Sequence, residues 1–116
     1  MSDVRTAHPA LAAGRWRELG LMAQLANIGS EVGRAATAKQ RGKFERMWGA
    51  LDRALELFEL TVGDPANRGR LREVTRAREL VLDYLVGDNV YKSSAESWDK
   101  YFVPFAVAAR RGRELA

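Results

Sequence analysis

QRGKFERMWGALDRALELFELTVGDP, residues 40–65, is the stretch that decides the fold of this chain. Its large apolar residues recur at steps of three and four, which is the period of an amphipathic α-helix. They are Phe44, Met47, Trp48, Leu51, Leu55, Phe58 and Val62. Gly63 ends this pattern, and Asp64 followed by Pro65 is typical of the cap and first position of a new helix. The stretch therefore predicts a helix over about 40–62 and a second helix that begins near Pro65.

The helical period continues on both sides of this stretch. Upstream it predicts a helix from about Arg15 to Ala38, with an apolar stripe formed by Leu21, Leu25, Ile28, Val32 and Ala35. The helix that begins near Pro65 is expected to end at Gly87 and to bury Leu71, Val74, Ala77, Val81, Tyr84 and Leu85. A fourth helix is predicted from the apolar face of Trp98, Tyr101, Phe102, Phe105, Ala108 and Ala109.

No segment of the sequence has the alternating pattern of a strand, and the connections between the predicted helices are short. Short connections favour antiparallel neighbours. The sequence therefore predicts an all-α protein, an antiparallel up-down-up-down four-helix bundle over residues 14–112. Residues 1–13 and 113–116 are expected to form flexible tails.

The composition limits the chemistry that the chain can perform. The 116 residues include no cysteine and one histidine, His8, so thiolate nucleophiles, disulfides and cysteine zinc sites are excluded. Triads that need a histidine within the fold are unsupported as well. No apolar run approaches the roughly 20 residues of a membrane helix, and the first residues lack the pattern of a secretory signal. We therefore expect a cytoplasmic protein that is not an enzyme, binds no metal or cofactor and does not enter a membrane.

GDNVYKSSAESWDKYF, residues 87–102, concentrates polar side chains and resembles an active site at first sight. The run Ser93-Ser94-Ala95-Glu96 nevertheless fits a capping box, in which the first Ser and the Glu bond each other's backbone amides. This pattern predicts Ser93 as the N-cap of the fourth helix and Gly87 as the C-cap of the third. The alternative is a partner contact through Asn89 and Tyr91.

A second stripe of the first helix contains small residues only: Ala26, Gly29, Gly33 and Ala36. Because glycine is unfavourable inside a helix, its recurrence suggests that another backbone comes close at this stripe. Two interpretations remain open, a close helix contact within the chain and a contact between subunits of an oligomer.

Arginine outnumbers lysine among the 19 basic residues, and the net charge is +4. Arginine favours forked contacts with phosphate or carboxylate. Arg68, Arg72 and Arg76 recur every four residues, and an up-down bundle brings the start of the third helix to the pole that holds both chain ends. The candidate nucleic-acid-binding residues are Arg15, Arg17, Arg68, Arg70, Arg72, Arg76, Arg110, Arg111 and Arg113.

These arginines have a second interpretation, because the second helix carries an acidic stripe that is able to neutralise them within the chain or between subunits. The stripe consists of Glu45, Asp52, Glu56 and Glu59. The opposite pole is also basic, but acidic residues offset part of its charge. Its basic residues are Arg34, Lys39, Arg41, Lys43, Arg46 and Lys92, and its acidic residues are Glu31, Glu45, Asp88 and Glu96.

LANIGSEVGRA, residues 25–35, and GDNVYKSSAESWDKYFVPFAVAAR, residues 87–110, resemble signatures of a family of small uncharacterised bacterial four-helix-bundle proteins. The layout is similar to the bundles of the ribosomal-RNA intervening-sequence protein and the retroelement accessory protein (Avd). The resemblance implies a homo-oligomer, often a pentamer, whose basic surface engages RNA or DNA and, in the retroelement case, a reverse transcriptase.

Together these features favour a non-enzymatic oligomeric adaptor with an arginine-rich pole. Through this pole the adaptor binds either nucleic acid or an enzyme that acts on nucleic acid. The alternative is a structural or protein–protein interaction module with no nucleic-acid binding.

Overall fold

Four α-helices and one short 3₁₀ helix make up the structure, a computed structural model that describes the backbone of residues 9–115 and the side chains of residues 13–112. The α-helices are α1 (Pro9–Gln40), α2 (Phe44–Val62), α3 (Leu71–Leu85) and α4 (Ala95–Leu115), and the 3₁₀ helix is Pro65–Arg70. Residues 9–115 contain no strand, which confirms the all-α prediction. The predicted tail residues 1–8, which include His8, and residue 116 lie outside the described residues.

Helix α1 is the centre of the bundle and packs against both α2 and α4, while α3 packs mainly on α2. The indole nitrogen of Trp16 bonds Thr61, so the start of α1 lies beside the end of α2. Lys39, at the end of α1, donates to the carbonyls of Tyr84 and Leu85 at the end of α3. Helix α4 runs back along α1, since Ala95 lies near Ala36 and Arg110 near Ala23. The up-down-up-down order is therefore confirmed.

The buried faces follow the predicted stripes in α1 and α3 but not throughout α2. Helix α2 buries Met47, Ala50, Leu51, Ala54, Phe58 and Thr61. Phe44 and Trp48, which belong to the predicted apolar stripe of this helix, are 58% and 51% exposed. The buried face is centred on the alanines, which allow α2 to lie close to α1, and this orientation turns the two aromatic residues outward.

Two local features differ from the predicted ideal helices. Helix α1 begins at Pro9 instead of near Arg15 and contains a break at Gly20, whose φ of 76° and ψ of 163° are accessible mainly to glycine. The third helix also has two parts, because the segment that begins at Pro65 is 3₁₀ and becomes α-helical only at Leu71. The predicted cap is present, since the Asp64 carboxylate accepts a hydrogen bond from the Ala66 amide.

The connection between α3 and α4 is a turn held by its own side chains. A capping box is present, but it lies one residue later than predicted, because helix α4 begins at Ala95 and not at Ser94. Ser97 Oγ accepts from the Ser94 amide at 2.8 Å, and Ser94 Oγ accepts from the Ser97 amide at 3.0 Å. The assignment of Ser93 as the N-cap, with Glu96 as its partner, is therefore wrong.

The Ser93 backbone is instead bonded by Asn89, which donates to its carbonyl and accepts from its amide. Asn89 has a φ of 51°, a conformation that asparagine tolerates better than most residues. Asp83 of α3 accepts from the Val90 and Tyr91 amides. These bonds support the interpretation of residues 87–94 as a structural turn, and they occupy the Asn89 side chain.

Candidate nucleic-acid interface

The arginine-rich pole is built on a buried polar cluster where the first part of α1 meets the end of α2 and the 3₁₀ helix. At its centre is Gln24, whose side chain is fully buried. Gln24 Nε2 donates to the Trp16 carbonyl at 3.0 Å and to Asp64 Oδ2 at 2.8 Å. Gln24 Oε1 accepts from Asn67 Nδ2 at 2.8 Å, so both polar atoms of the amide are bonded.

The remaining bonds of this cluster connect it to α2. Asn67 Nδ2 also donates to the Thr61 carbonyl at 3.0 Å. Trp16 Nε1 donates to Thr61 Oγ1 at 2.9 Å, and that hydroxyl donates to the Leu57 carbonyl. Because buried polar groups are costly when unpaired, this complete set of partners favours one arrangement of the three segments.

The polar cluster places the arginines by fixing their neighbours in sequence. Arg68 directly follows Asn67, and Arg15 and Arg17 flank the buried Trp16. The end of α4 reaches the same region of the bundle, because Arg110 borders a small cavity with Ala23 and Ala26 of α1. The structure therefore places Arg15, Arg17 and Arg68 beside the polar cluster, with Arg72 in the first turn of α3 and Arg110 and Arg111 near the end of α4.

Most arginines of this pole are exposed and lack an acidic partner. Among the described side chains, no ion pair is formed by Arg15, Arg17, Arg68, Arg72, Arg110 or Arg111. Arg70 differs, since its Nη2 lies 2.6 Å from Glu73 Oε2. The side chain of Arg113 lies outside the described residues. We refer to Arg15, Arg17, Arg68, Arg72, Arg110 and Arg111 as the pole arginines.

Arg76 does not belong to this group. The Cζ atom of Arg76 lies 6.0 Å from the ring centre of Tyr91, which belongs to the connection after α3. The Arg76 side chain also borders a groove between α3 and α4. Arg68 lies in the 3₁₀ helix while Arg72 and Arg76 lie in α3, and the two helix types turn by different angles per residue. The three arginines therefore do not form the single continuous α-helical face that their spacing predicted.

The alternative of neutralisation by α2 finds no support at three of the four acidic residues of the predicted stripe. No ion pair joins Glu45, Asp52 or Glu59 to Arg68, Arg72 or Arg76. Among the described residues, Glu31 of α1 is the acidic residue that forms two ion pairs; it is only 6% exposed and binds both Arg34 and Arg53. Those pairs lie toward the opposite pole.

The stripe of small residues faces α4, and each of its members borders a cavity between α1 and α4. Its closest approach lies at Gly29, where an added Cβ would be 2.5 Å from Phe102 Cβ. An added Cβ at Gly33 would meet nothing within 4 Å. Within this chain the stripe accommodates α4 at Gly29 and leaves open space at Gly33.

The sequence interpretation missed the polar cluster below the pole. One signal was present, because Gln24 stands within the apolar stripe of α1, between Leu21 and Ile28, where a polar residue needs buried partners. Asn67 and Thr61 gave no comparable signal, since both belong to segments where polar residues are common.

Two further observations concern metal and membrane. The described part of the chain has no group of three or more His, Cys, Asp or Glu side chains arranged to hold a metal ion. None of its helices combines the length and the apolar character that crossing a membrane requires.

The chain matches no protein-family model, no curated protein and no solved structure.

Proposed function

We propose that this protein is a non-enzymatic helical adaptor that binds the phosphate backbone of nucleic acid through the pole arginines. The observation that carries this proposal is that these six exposed guanidinium groups have no acidic partner among the described side chains. Guanidinium groups repel one another at short range, and phosphate neutralises them with forked hydrogen bonds. A cytoplasmic location is part of the same proposal.

The buried polar cluster also supports this function. It holds Arg15, Arg17 and Arg68 on segments whose backbone is fixed by Gln24 and Asn67. Fixed donors lose less conformational entropy on binding than donors on a mobile loop. Contacts of this kind position a protein on the phosphates without reading the base sequence.

The test is a fluorescence anisotropy titration with single-stranded RNA and duplex DNA at about 50 and 200 mM salt. The parent protein is expected to bind both and to lose affinity steeply at the higher salt concentration. In Arg68→Gln/Arg72→Gln, affinity at low salt should decrease, and the log–log salt slope on duplex DNA should become shallower by up to about two units.

The matched control is Lys92→Gln/Lys100→Gln, which removes the same charge from exposed positions near the opposite pole. This control should keep the parent's salt slope. Equal losses in the two double variants would indicate diffuse attraction to a basic protein and not a site. Absence of binding by the parent at low salt would leave the interaction-module alternative.

We also propose that the protein forms a homo-oligomer, through a surface on α2. Phe44 and Trp48 are exposed one turn apart on α2, and exposed aromatic residues of this size favour a protein contact. We expect the double variant Phe44→Ser/Trp48→Ser to have a lower mass than the parent protein, as measured by light scattering. The control is Val103→Ser/Val107→Ser, an exposed apolar pair with the same spacing on α4. A parent that is monomeric at all concentrations would disprove self-association.

A further inference from the structure

An open groove lies between the last part of α1 and the first part of α2, away from the pole arginines. Its volume is about 960 Å³. Five basic side chains border it, those of Arg34, Arg41, Lys43, Arg46 and Arg53. Glu45 is the one carboxylate among its described lining residues. The groove therefore concentrates positive charge in a concave surface, where the potential is stronger than on a flat one.

Glycines on the two facing helices leave the space that the groove occupies. An added Cβ at Gly33 would meet nothing within 4 Å, and at Gly49 it would meet only Arg53 Nη1 at 3.6 Å. Both positions are inside helices, where glycine is the least favourable residue after proline. Packing therefore does not require glycine at Gly33 or Gly49. An open groove does require it, because a larger side chain at either position would occupy the space.

Two of the basic groups are held in place from below. The carboxylate of Glu31, which is almost fully buried, accepts from Arg34 and from Arg53 on the facing helix. Arg41, Lys43 and Arg46 form no ion pair within the described part of the chain. The groove is thus bordered by two oriented guanidinium groups, one from each helix, and by three cations that have no acidic partner among the described residues.

We propose that this groove binds a compact polyphosphate through its phosphoryl oxygens. No aromatic side chain is among the described residues that line it, so it offers no stacking platform for a base. Guanidinium groups match the geometry of phosphate oxygens, and the hydroxyl of Thr37 adds a further donor. The ligand is either an inorganic polyphosphate or the phosphate chain of a nucleotide. This inference does not depend on nucleic-acid binding at the arginine-rich pole.

The experiment is isothermal titration calorimetry of the full chain with tripolyphosphate, ATP and citrate. If phosphoryl groups alone are recognised, tripolyphosphate and ATP should bind with similar affinity. Citrate carries several charges but presents carboxylates, and we expect it to bind about tenfold more weakly. Similar affinity for all three compounds would overturn the proposal. If only a single-stranded RNA bound and neither polyphosphate did, the groove would be an extension of a nucleic-acid surface and the proposal would fail.

Variants without a charge change separate a shaped site from diffuse attraction. Gly49→Leu places a side chain in the groove and should weaken tripolyphosphate binding by about tenfold. Gly14→Leu is the control, because Gly14 is an exposed glycine of α1 with open space around an added Cβ and does not line the groove. Should Gly49→Leu fail to fold, as judged by circular dichroism, Gly33→Leu provides the same test. Parent-like affinity in a folded groove variant would disprove the site.

Glu31→Gln gives a test with the opposite sign. The substitution raises the net charge by one, so diffuse attraction predicts tighter polyphosphate binding. The proposed site predicts weaker binding, since Arg34 and Arg53 lose the carboxylate that orients them. Tighter binding by a folded Glu31→Gln variant would contradict the role of the oriented guanidinium groups.

Discussion

An added Cβ at Gly29 of α1 would lie 2.5 Å from the Cβ atom of Phe102 of α4 and 2.6 Å from its Cγ atom. Phe102 is buried and stacks on Trp98 with ring centres 5.7 Å apart. The two helices therefore meet where one of them has no side chain, and the aromatic residues of α4 fill the space. This contact fixes the position of α4 along α1.

The first prediction follows from that contact. Gly29→Ala should destabilise the fold by about 1–3 kcal/mol, because the methyl group overlaps a buried ring. Gly33→Ala, one turn later in open space, should stabilise it by about 0.5–1 kcal/mol through helix propensity alone. Urea unfolding of both variants measures the two changes. If both variants shifted in the same direction, the placement of α4 at Gly29 would be wrong.

The small-residue stripe of α1 shows which part of the contact with α4 can be predicted from the sequence. Its composition predicted a close approach, and the structure has one at Gly29. Which of its two glycines is needed depends on where α4 crosses α1, and that register is set by contacts distant in sequence. Helical spacing alone makes Gly29 and Gly33 equivalent.

The faces of α2 were predicted less well for a related reason. The sequence interpretation followed the large residues Phe44 and Trp48, although burial is centred on Ala50 and Ala54. Alanine reveals little in an amphipathic pattern, yet it permits the closest helix packing. Topology alone predicted the arginine-rich pole, whereas the cluster around Gln24 depends on contacts between segments distant in sequence.

The second prediction concerns the start of α4. Ser94→Ala removes the hydroxyl that accepts from the Ser97 amide and should lower the free energy of unfolding by about 1 kcal/mol. Ser93→Ala is the control, because only the backbone of Ser93 takes part in the described hydrogen bonds of this turn. Thermal unfolding distinguishes the two variants. A larger loss of stability in Ser93→Ala than in Ser94→Ala would show that Ser93 is the N-cap of α4, as the sequence predicted.

The third prediction links the buried polar cluster to the arginine-rich pole. Asn67→Ala leaves the buried Gln24 Oε1 without its donor and should lower the free energy of unfolding by about 1–3 kcal/mol. The same variant should weaken nucleic-acid binding although no charge is removed, since Arg68 loses its fixed neighbour. Urea unfolding and the anisotropy titration measure the two effects.

Asn27→Ala is the control for that prediction, because within the described residues its exposed side chain bonds only the Ala23 carbonyl on its own helix. Its effect should stay within about 0.5 kcal/mol. Equal stability in Asn67→Ala and Asn27→Ala would show that the cluster does not hold the 3₁₀ helix in place. Loss of stability with unchanged binding would separate the cluster from the proposed function.

The fourth prediction uses the phenol of Tyr101, which lies partly buried on α4 beside α3. Burial raises the pKa of Tyr101 above its ordinary value of 10.0, and the nearby negative charge of Glu73 raises this pKa further while Arg70 lowers it in part. Burial also raises the pKa of Tyr84. A raised pKa means that the folded state favours the neutral phenol more strongly than the unfolded state does.

The stabilising contribution is therefore complete below about pH 10 and is lost as the pH rises from there through the folded-state pKa. Between about pH 8 and pH 11, the parent should lose more free energy of unfolding than Tyr101→Phe, which has no phenol to ionise at this position. Tyr84 remains in the variant, so part of the pH dependence should persist. In Glu73→Gln the loss of free energy of unfolding should lie between that of the parent and that of Tyr101→Phe, because this substitution removes the charge next to the phenol but leaves the phenol buried. Urea unfolding at both pH values measures the differences. Equal losses in the parent and in Tyr101→Phe would show that ionisation of Tyr101 is not coupled to the packing of α4 beside α3.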